Sequence, residues 1–376
     1  MKVSVVGGGN AGVFTSLFLT HVMGAEVELI YDPTIPCERV GQATVLDPPK
    51  ILHETTGFDW YNNPIHATFK SGILYEGWGQ VNEEVFHPFP PDCMGMHYCP
   101  WEMQKHVLNS GLFKVTEGKI DPKEVDADYV FDCRGKPDDY SNYEQLLNPT
   151  NACILAKPNW DTSNVYWSRH IATPDGWTFI IPTHTKSPSH TYCVGYCYNN
   201  TITSKEDAEK NMLEMFDVEI SKHVNYNNYV AKNIMVDDRI ILNGNRLFFI
   251  EPLESSSTQT YIEVVLSFGR TLQTEGNLDN LNHRVHTYIK YIQNFILWHY
   301  QFGSKYDTPF WDYAKKLTFN DHVFDFKLRE SIRLGWKDIH HNLQLGNCQH
   351  QYAYWDTCSF KYWYEGMTNF NKRGTK

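Results

Sequence analysis

Lys2-Val3-Ser4-Val5-Val6-Gly7-Gly8-Gly9-Asn10-Ala11-Gly12 opens the chain and decides its fold class. Lys2 to Val6 reads as a short buried strand, and an apolar helical pattern runs from Ala11 to about Met23. Between them Gly7, Gly9 and Gly12 satisfy G-x-G-x-x-G in strand–turn–helix context, which raises a weak motif to a useful one. Gly7 permits the tight turn, Gly9 lets a pyrophosphate approach the backbone, and Gly12 lets the helix pack closely on the strand. Asn10 and Ala11 begin the helix, whose free N–H groups and dipole face the phosphates. A second strand, Glu26 to Tyr31, ends at Asp32, a candidate acceptor for a ribose hydroxyl. The unit predicts an α/β, Rossmann-like dinucleotide-binding fold. A glycine turn with no ligand is the plainer alternative.

Working outward, 376 residues suffice for one large α/β unit or two closely joined ones. Aromatic residues make up 15% of the chain, which suits the walls of a pocket for a flat ligand as well as ordinary packing. The net charge of -11 leaves no basic field to collect phosphates, so a nucleic-acid partner is not expected. Lys372 to Lys376 reads as a solvated end. No signal peptide and no membrane-length apolar run is visible. Nine cysteines lie scattered without a Cys-x-x-Cys pair, and Cys193 and Cys197 lack neighbouring ligands, so no metal site is expected. These features predict a reduced, soluble, cytoplasmic protein; self-association into a homo-oligomer stays open.

Several further stretches occur in a fixed order. Val40-Gly41-Gln42-Ala43-Thr44 comes first, then Thr68-Phe69-Lys70-Ser71-Gly72 with Tyr75 and Trp78, then Phe86-His87-Pro88-Phe89. Val125 to Gly135 and Asn245 to Glu251 read as strands returning to the dinucleotide. Gly176-Trp177-Thr178-Phe179-Ile180-Ile181-Pro182 and Glu251-Pro252-Leu253-Glu254-Ser255-Ser256-Ser257 lie between and after them. Each has a bland reading. A strand-end lysine is usually exposed, a His before Pro is a turn residue, and a serine run caps a helix.

Together they resemble the tryptophan halogenase family of flavin-dependent halogenases, in a compact form similar to its phage-encoded members. Trp177, Ile181 and Pro182 match its Trp-x-Trp-x-Ile-Pro signature, with Phe179 at the second Trp, and Glu251 to Ser257 resembles Pro-Leu-Glu-Ser-Thr-Gly, with Ser256 at its Thr and Ser257 at its Gly. Phe295 to Tyr300 and Asp307 to Trp311 resemble a family segment without a known catalytic role. There a helix with Val285, Ile289, Ile292 and Ile296 on one face precedes a new start, capped by Asp307, with Pro309 in its first turn.

The resemblance implies a GR2-type, monooxygenase-like FAD fold with a substrate-facing sheet and C-terminal helices. Residues 1–60, 100–150 and 235–280 would form a discontinuous FAD-binding domain. Residues 61–99, 151–234 and 281–376 would form the substrate-facing region and helical cover. It implies that FADH2, O2 and halide generate hypohalous acid, which Lys70 holds beside a small aromatic substrate while Glu254 acts as second acid–base group. His87 and Phe89 would meet the substrate, and Gly41 and Thr44 would lie near the flavin. The backbone N–H groups of Ser256 and Ser257 would cradle the halide. No second G-x-G-x-x-G follows a strand, so the reduced flavin is expected from a separate flavin reductase.

Ser257 stands where the family has glycine. If that position needs positive φ, strain of about 1 kcal/mol reshapes the cradle, and iodide and bromide should be used before chloride. A short chain also makes free tryptophan a doubtful substrate. Two rival functions remain: a flavin monooxygenase that hydroxylates an aromatic substrate, and a non-catalytic FAD-binding protein.

Overall fold

The computed structural model describes residues 1–45, 47–89, 94–182, 192–274, 278–333 and 357–369. Tyr352, Tyr354, Trp355 and the stretch Lys372 to Lys376 lie outside the described residues.

The opening strand Lys2–Val6 pairs in parallel with Glu26–Tyr31 on one side and Tyr129–Asp132 on the other. Lys114–Glu117 extends the sheet beyond Glu26–Tyr31, and Ile240–Leu242 extends it beyond Tyr129–Asp132, both in parallel. An antiparallel strand, Met235–Val236, closes that edge and completes a six-stranded sheet. Val3, Val5, Val130 and Phe131 have no exposed surface, as a parallel sheet covered on both faces requires. Helix Asn10–His21 follows the glycine turn and packs on helix Ser257–Gln273, which ties the first turn to the later Glu251–Ser257 segment.

A second sheet of seven strands takes the order Val218–Asn225, Ala152–Pro158, Val194–Tyr198, Gly176–Ile180, Ser168–Thr173, Gly72–Glu76 and Glu84–Pro88. Its pairs are antiparallel except Ser168–Thr173 with Gly72–Glu76. Phe179 lays its ring across Gly195 of the neighbouring strand, where a Cβ would come within 2.1 Å of it. The aromatic ring and the glycine opposite it therefore form one packing unit. Thr68–Lys70 belongs to a small sheet with Gly95–Tyr98 and Gln42–Ala43.

Helix Leu278–Gln301 packs on helix Ser257–Gln273, with Val285, Ile289, Ile292 and Ile296 all buried as its periodicity predicts. After it the expected Asp307 cap is not used. Thr308 caps helix Pro309–Ala314, its hydroxyl accepting from Trp311 N, because the cap falls on the residue directly before Pro309. Helices His322–Arg333 and Thr357–Thr368 complete the described cover. Much of the aromatic excess lies here: Tyr75, Trp78, Tyr300, Trp311 and Trp363 are all buried and meet edge to face or tilted. Among the described residues no helix is long and apolar enough to cross a membrane. Nor could any cluster of His, Cys, Asp and Glu among them hold a metal ion.

Candidate active site

The glycine turn has the shape of a cofactor cradle. Gly7 adopts φ +119, and a Cβ there would come within 2.4 Å of the Cys133 carbonyl oxygen. A Cβ on Gly12 would come within 1.8 Å of the Gly7 carbonyl oxygen, so strand and helix touch through backbone alone. Gly9 differs: nothing lies within 4 Å of its Cβ direction, and its φ of -74 would suit any residue. The space beside Gly9 opens onto the start of helix Asn10–His21, which carries no side-chain cap and so leaves its first N–H groups for a ligand. A pyrophosphate fits this arrangement.

Asn10 begins that helix, and Ala11 packs under Gly244, where a Cβ would sit 2.4 Å from its methyl. Asp32 follows the second strand as expected, but its Oδ1 already accepts from Thr34 N at 2.9 Å and Thr34 Oγ1 at 2.6 Å. Those bonds hold its carboxyl below the usual range. Gly41 N donates to the Tyr192 carbonyl. The Thr44 hydroxyl serves strand pairing, donating to Val45 O and accepting from Met96 N.

The second half of the site is assembled where five segments converge. Lys70, at the end of Thr68–Lys70, has no exposed surface, and its Nζ donates to Ser255 Oγ at 2.9 Å. Phe89 lies beside the same amine, its ring centroid 5.3 Å from Nζ. Burial pulls the amine down to about 7, against an opposing pull from Glu254. Glu254 ends the 3-10 turn Pro252–Glu254 and is buried. Its Oε1 lies 2.7 Å from His299 Nε2 and accepts from the Tyr75 hydroxyl. Burial alone would raise this carboxyl, but His299, His87 and Tyr75 outweigh it and lower it to about 2. His87, on Glu84–Pro88, is also buried and faces the same carboxylate. Lys70, His87, Phe89 and Glu254, read separately from the sequence, thus come together.

The serine run departs from expectation at one position. Ser255 holds the left-handed backbone, φ 53 and ψ 32. Ser256 is the N-cap of helix Ser257–Gln273, and Ser257 is its first helical residue. Ser257 therefore carries no positive φ, and the strain that was to reshape the halide cradle does not arise there. The helix turns in at Ser257, so the reversal it requires falls two residues earlier. The Ser256 side chain makes no capping bond, which leaves the opening N–H groups of a 17-residue helix for another acceptor.

The tryptophan halogenase family model matches residues 2–114 and 119–334. The chain belongs to the tryptophan halogenase family. Among similar proteins, tryptophan 7-halogenase KtzQ of Kutzneria sp. (strain 744) is 20% identical over 85% of this chain and 79% of its own. Tryptophan 7-halogenase RebH of Lentzea aerocolonigenes is likewise 20% identical, over 85% of this chain and 80% of its own. Among solved structures, MibH, a lanthipeptide tryptophan 5-halogenase, superposes with a TM-score of 0.80 at 19% identity, covering 97% of this chain and 85% of that one. The shared fold is the mixed α/β architecture of flavin-dependent halogenases. This protein is an enzyme of the flavin-dependent halogenase class, an oxidoreductase family that uses FADH2, O2 and halide on aromatic substrates and is served by a separate flavin reductase.

In this halogenase the signature strand places Trp177 with no exposed surface and Phe179, Ile181 and Pro182 buried beside it. The Pro182 carbonyl accepts from Thr68 Oγ1 at 2.9 Å, which links the signature to the Lys70 strand. Side chains the sequence reading did not assign surround the centre. His97 bridges Thr68 and Ser168, and His170 stacks near Trp177; burial beside Lys70 lowers both, His170 to about 3, so neither carries charge at neutral pH. Glu251 accepts from Thr150 N, Thr150 Oγ1 and the Tyr300 hydroxyl, the last at 2.6 Å, and burial lifts its carboxyl to about 7. His299 and Tyr300, adjacent on one helix, thus hold Glu254 and Glu251, three apart on the facing turn. The only sequence signal was that Tyr75, His299 and Tyr300 fell inside stretches matching the family without an assigned role.

Proposed function

We propose that this enzyme halogenates an electron-rich arene with hypohalous acid held by Lys70 and polarised by Glu254. Held beside Gly7, Gly9, Asn10, Ala11 and Gly12, with Asp32, Gly41 and Thr44 nearby, FADH2 would give O2 two of its four electrons and halide the other two, so that hypohalous acid and water are formed and FAD is left. The observation that carries the reading is the state of Lys70: a fully buried amine whose hydrogen-bond partner is a serine hydroxyl rather than a carboxylate. A structural lysine in a core is normally paired with an acid. An unpaired one that burial brings near neutrality can accept or donate a proton at working pH.

The halide would bind at the Ser256 and Ser257 N–H groups, where a helix start supplies positive potential despite the chain's net negative charge. Iodide and bromide would precede chloride only because chloride is intrinsically the hardest of the three to oxidise, since Ser257 adds no strain. Glu254, held ionised, would accept the proton lost by the arene, and His87 and Phe89 would orient the ring. Oxygen insertion, the rival chemistry, has no use for the Lys70–Glu254 pair.

The test combines the protein, FAD, a flavin reductase, NADH, air and each halide with phenols, indoles, free tryptophan and tryptophan-containing peptides, read by product mass. Halogenated product that disappears in Lys70→Ala supports the reading. Hydroxylated product without halogen, or flavin binding with no product on any arene, rejects it.

A further inference from the structure

We propose that His299 is a positioning residue of this centre, holding the Glu254 carboxylate ionised and oriented toward Lys70, and that Trp363 of the C-terminal helix locks the His299 ring in place. The proposal rests on the reading of Glu254 as acid–base partner.

The bonding of the ring is directional. His299 Nδ1 meets the Phe295 carbonyl at 2.6 Å, and a carbonyl can only accept, so Nδ1 carries a hydrogen. Nε2 faces Glu254 Oε1 at 2.7 Å with both side chains buried, and a carboxylate likewise only accepts, so the ring holds both partners with a hydrogen on each nitrogen. The ring is then gripped on two sides: Phe295 meets it edge-on at 4.5 Å and 89°, and Trp363 lies against its face at 4.0 Å and 32°. Trp363 also meets Tyr75, the other donor to Oε1, with ring centroids 4.5 Å apart. One indole therefore touches both groups that hold the carboxylate, and it comes from Thr357–Thr368, more than a hundred residues after Glu254. A helix that merely covered the site would not need its tryptophan between these two donors.

The electrostatic surroundings point the same way. Glu254 is faced by Tyr75, His87, Lys70, His170 and His299, and His299 in turn by Glu254, Tyr75 and His170. Among the groups that lower the carboxyl, His299 is the strongest, through both charge and hydrogen bond. Removing it should raise the pH at which Glu254 ionises, a titration that lies well below that of Lys70.

The experiment compares His299→Phe, which keeps a ring but no donor, with His299→Gln, which keeps a donor near the Nε2 position but cannot titrate. Trp363→Leu tests the lock, and wild type and Glu254→Gln are the references. Halogenation of an arene is followed with the reductase in excess, and the ionisation of Glu254 by carbon-13 NMR of the carboxyl groups against pH in the flavin-free protein. In the flavin-free protein, proton NMR is searched for the downfield exchangeable resonance of an imidazole N–H facing a carboxylate.

His299→Phe should lower kcat roughly a hundredfold with arene KM little changed, while His299→Gln recovers part of the loss. In both, the Glu254 carboxyl should titrate roughly one pH unit or more higher, and Trp363→Leu should give a smaller shift in the same direction. The downfield resonance should vanish in His299→Gln and move in Glu254→Gln. If His299→Phe does not fold, His299→Gln decides: wild-type kcat and an unmoved Glu254 titration overturn the proposal. Were Glu254→Gln inactive while His299→Gln behaved as wild type, only this proposal would fall. Were Glu254→Gln itself fully active, the reading of Glu254 beneath it would fall too.

Discussion

Lys70 and Ser255 meet at 2.9 Å, a buried amine donating to a serine held in the left-handed backbone region. Neither arrangement is favourable by itself. A non-glycine residue at φ 53 costs about 1 kcal/mol, and an amine in a core with no carboxylate bonded to it costs more. Both are retained where chemistry is proposed, the usual place for local strain.

Replacing that amine should therefore stabilise the fold. The folded-state value of Lys70 is about 7, well below that of an unfolded lysine. Below pH 7 both states hold the proton and the full penalty of a buried charge applies. Between pH 7 and about 10 the unfolded state binds more protons than the folded one, so native stability rises with pH and the penalty fades. Lys70→Met should be more stable than wild type by about 1–4 kcal/mol below pH 7, with the gain shrinking as pH rises. Urea unfolding at several pH values measures it; a variant less stable than wild type at pH 6 counts against the burial of a charge.

The cradle makes a prediction that does not depend on turnover. Gly12→Ala would drive a methyl into the Gly7 carbonyl, so the protein should lose stability and flavin together. Gly9→Ala meets nothing within the fold and has a compatible φ, so its melting temperature should match wild type. Its methyl would stand where the pyrophosphate approaches, and FAD affinity should fall roughly tenfold or more. Unchanged affinity, read by flavin fluorescence, would falsify the cradle.

The legible parts of this chain were those in which local chemistry dictates geometry. The turn at Gly7 to Gly12 announces its strand and helix because at three of those positions, Gly7, Gly8 and Gly12, a Cβ would collide with its neighbours. The face shared by Val285, Ile289, Ile292 and Ile296 announces the long helix because burial has a period. Lys70 and Glu254 could be named only through resemblance, since nothing local distinguishes a buried strand-end lysine from an exposed one. His299 and Tyr75 were not assigned, because their partner lies in a segment brought to them only by tertiary packing. Ser257 was misjudged for a related reason. The residue that reverses the chain before a helix is set by where the helix begins, and a run of three serines does not mark that point.

Tyr300 and Glu251 give a test of the second buried carboxylate. Glu251 titrates near 7 when folded, so between about pH 4.5 and 7 the folded state holds a proton that the unfolded chain has lost. Stability contributed by this group is therefore present below pH 4.5 and is lost as pH rises through 7. Tyr300→Phe removes the donor at 2.6 Å and leaves the carboxylate with Thr150 and its other partners. It should cost about 1–3 kcal/mol at pH 8 and less at pH 5, where a protonated Glu251 needs the donor less. Equal losses at both values would mean that Glu251 does not change charge in this range.

The last prediction separates two ways in which Lys70 could hold hypohalous acid. A charged ammonium can hydrogen-bond it, whereas a haloamine requires a neutral nitrogen with a free electron pair. With the amine near 7, the neutral form becomes the majority just above neutrality. If the neutral amine is the working form, turnover should rise through pH 7 and level off by about pH 8. Glu254, ionised above about 2, contributes no change there, but Glu251 titrates over the same interval. The profile must therefore be repeated in Tyr300→Phe, which moves Glu251 upward and should leave the midpoint unchanged if Lys70 sets it. Lys70→Arg completes the comparison, because a guanidinium donates well and stays charged throughout. It should bind FAD normally and form no halogenated product at any pH. Substantial product from Lys70→Arg, with a flat profile from pH 6 to 9, would show that donation alone suffices and that the neutral amine plays no part.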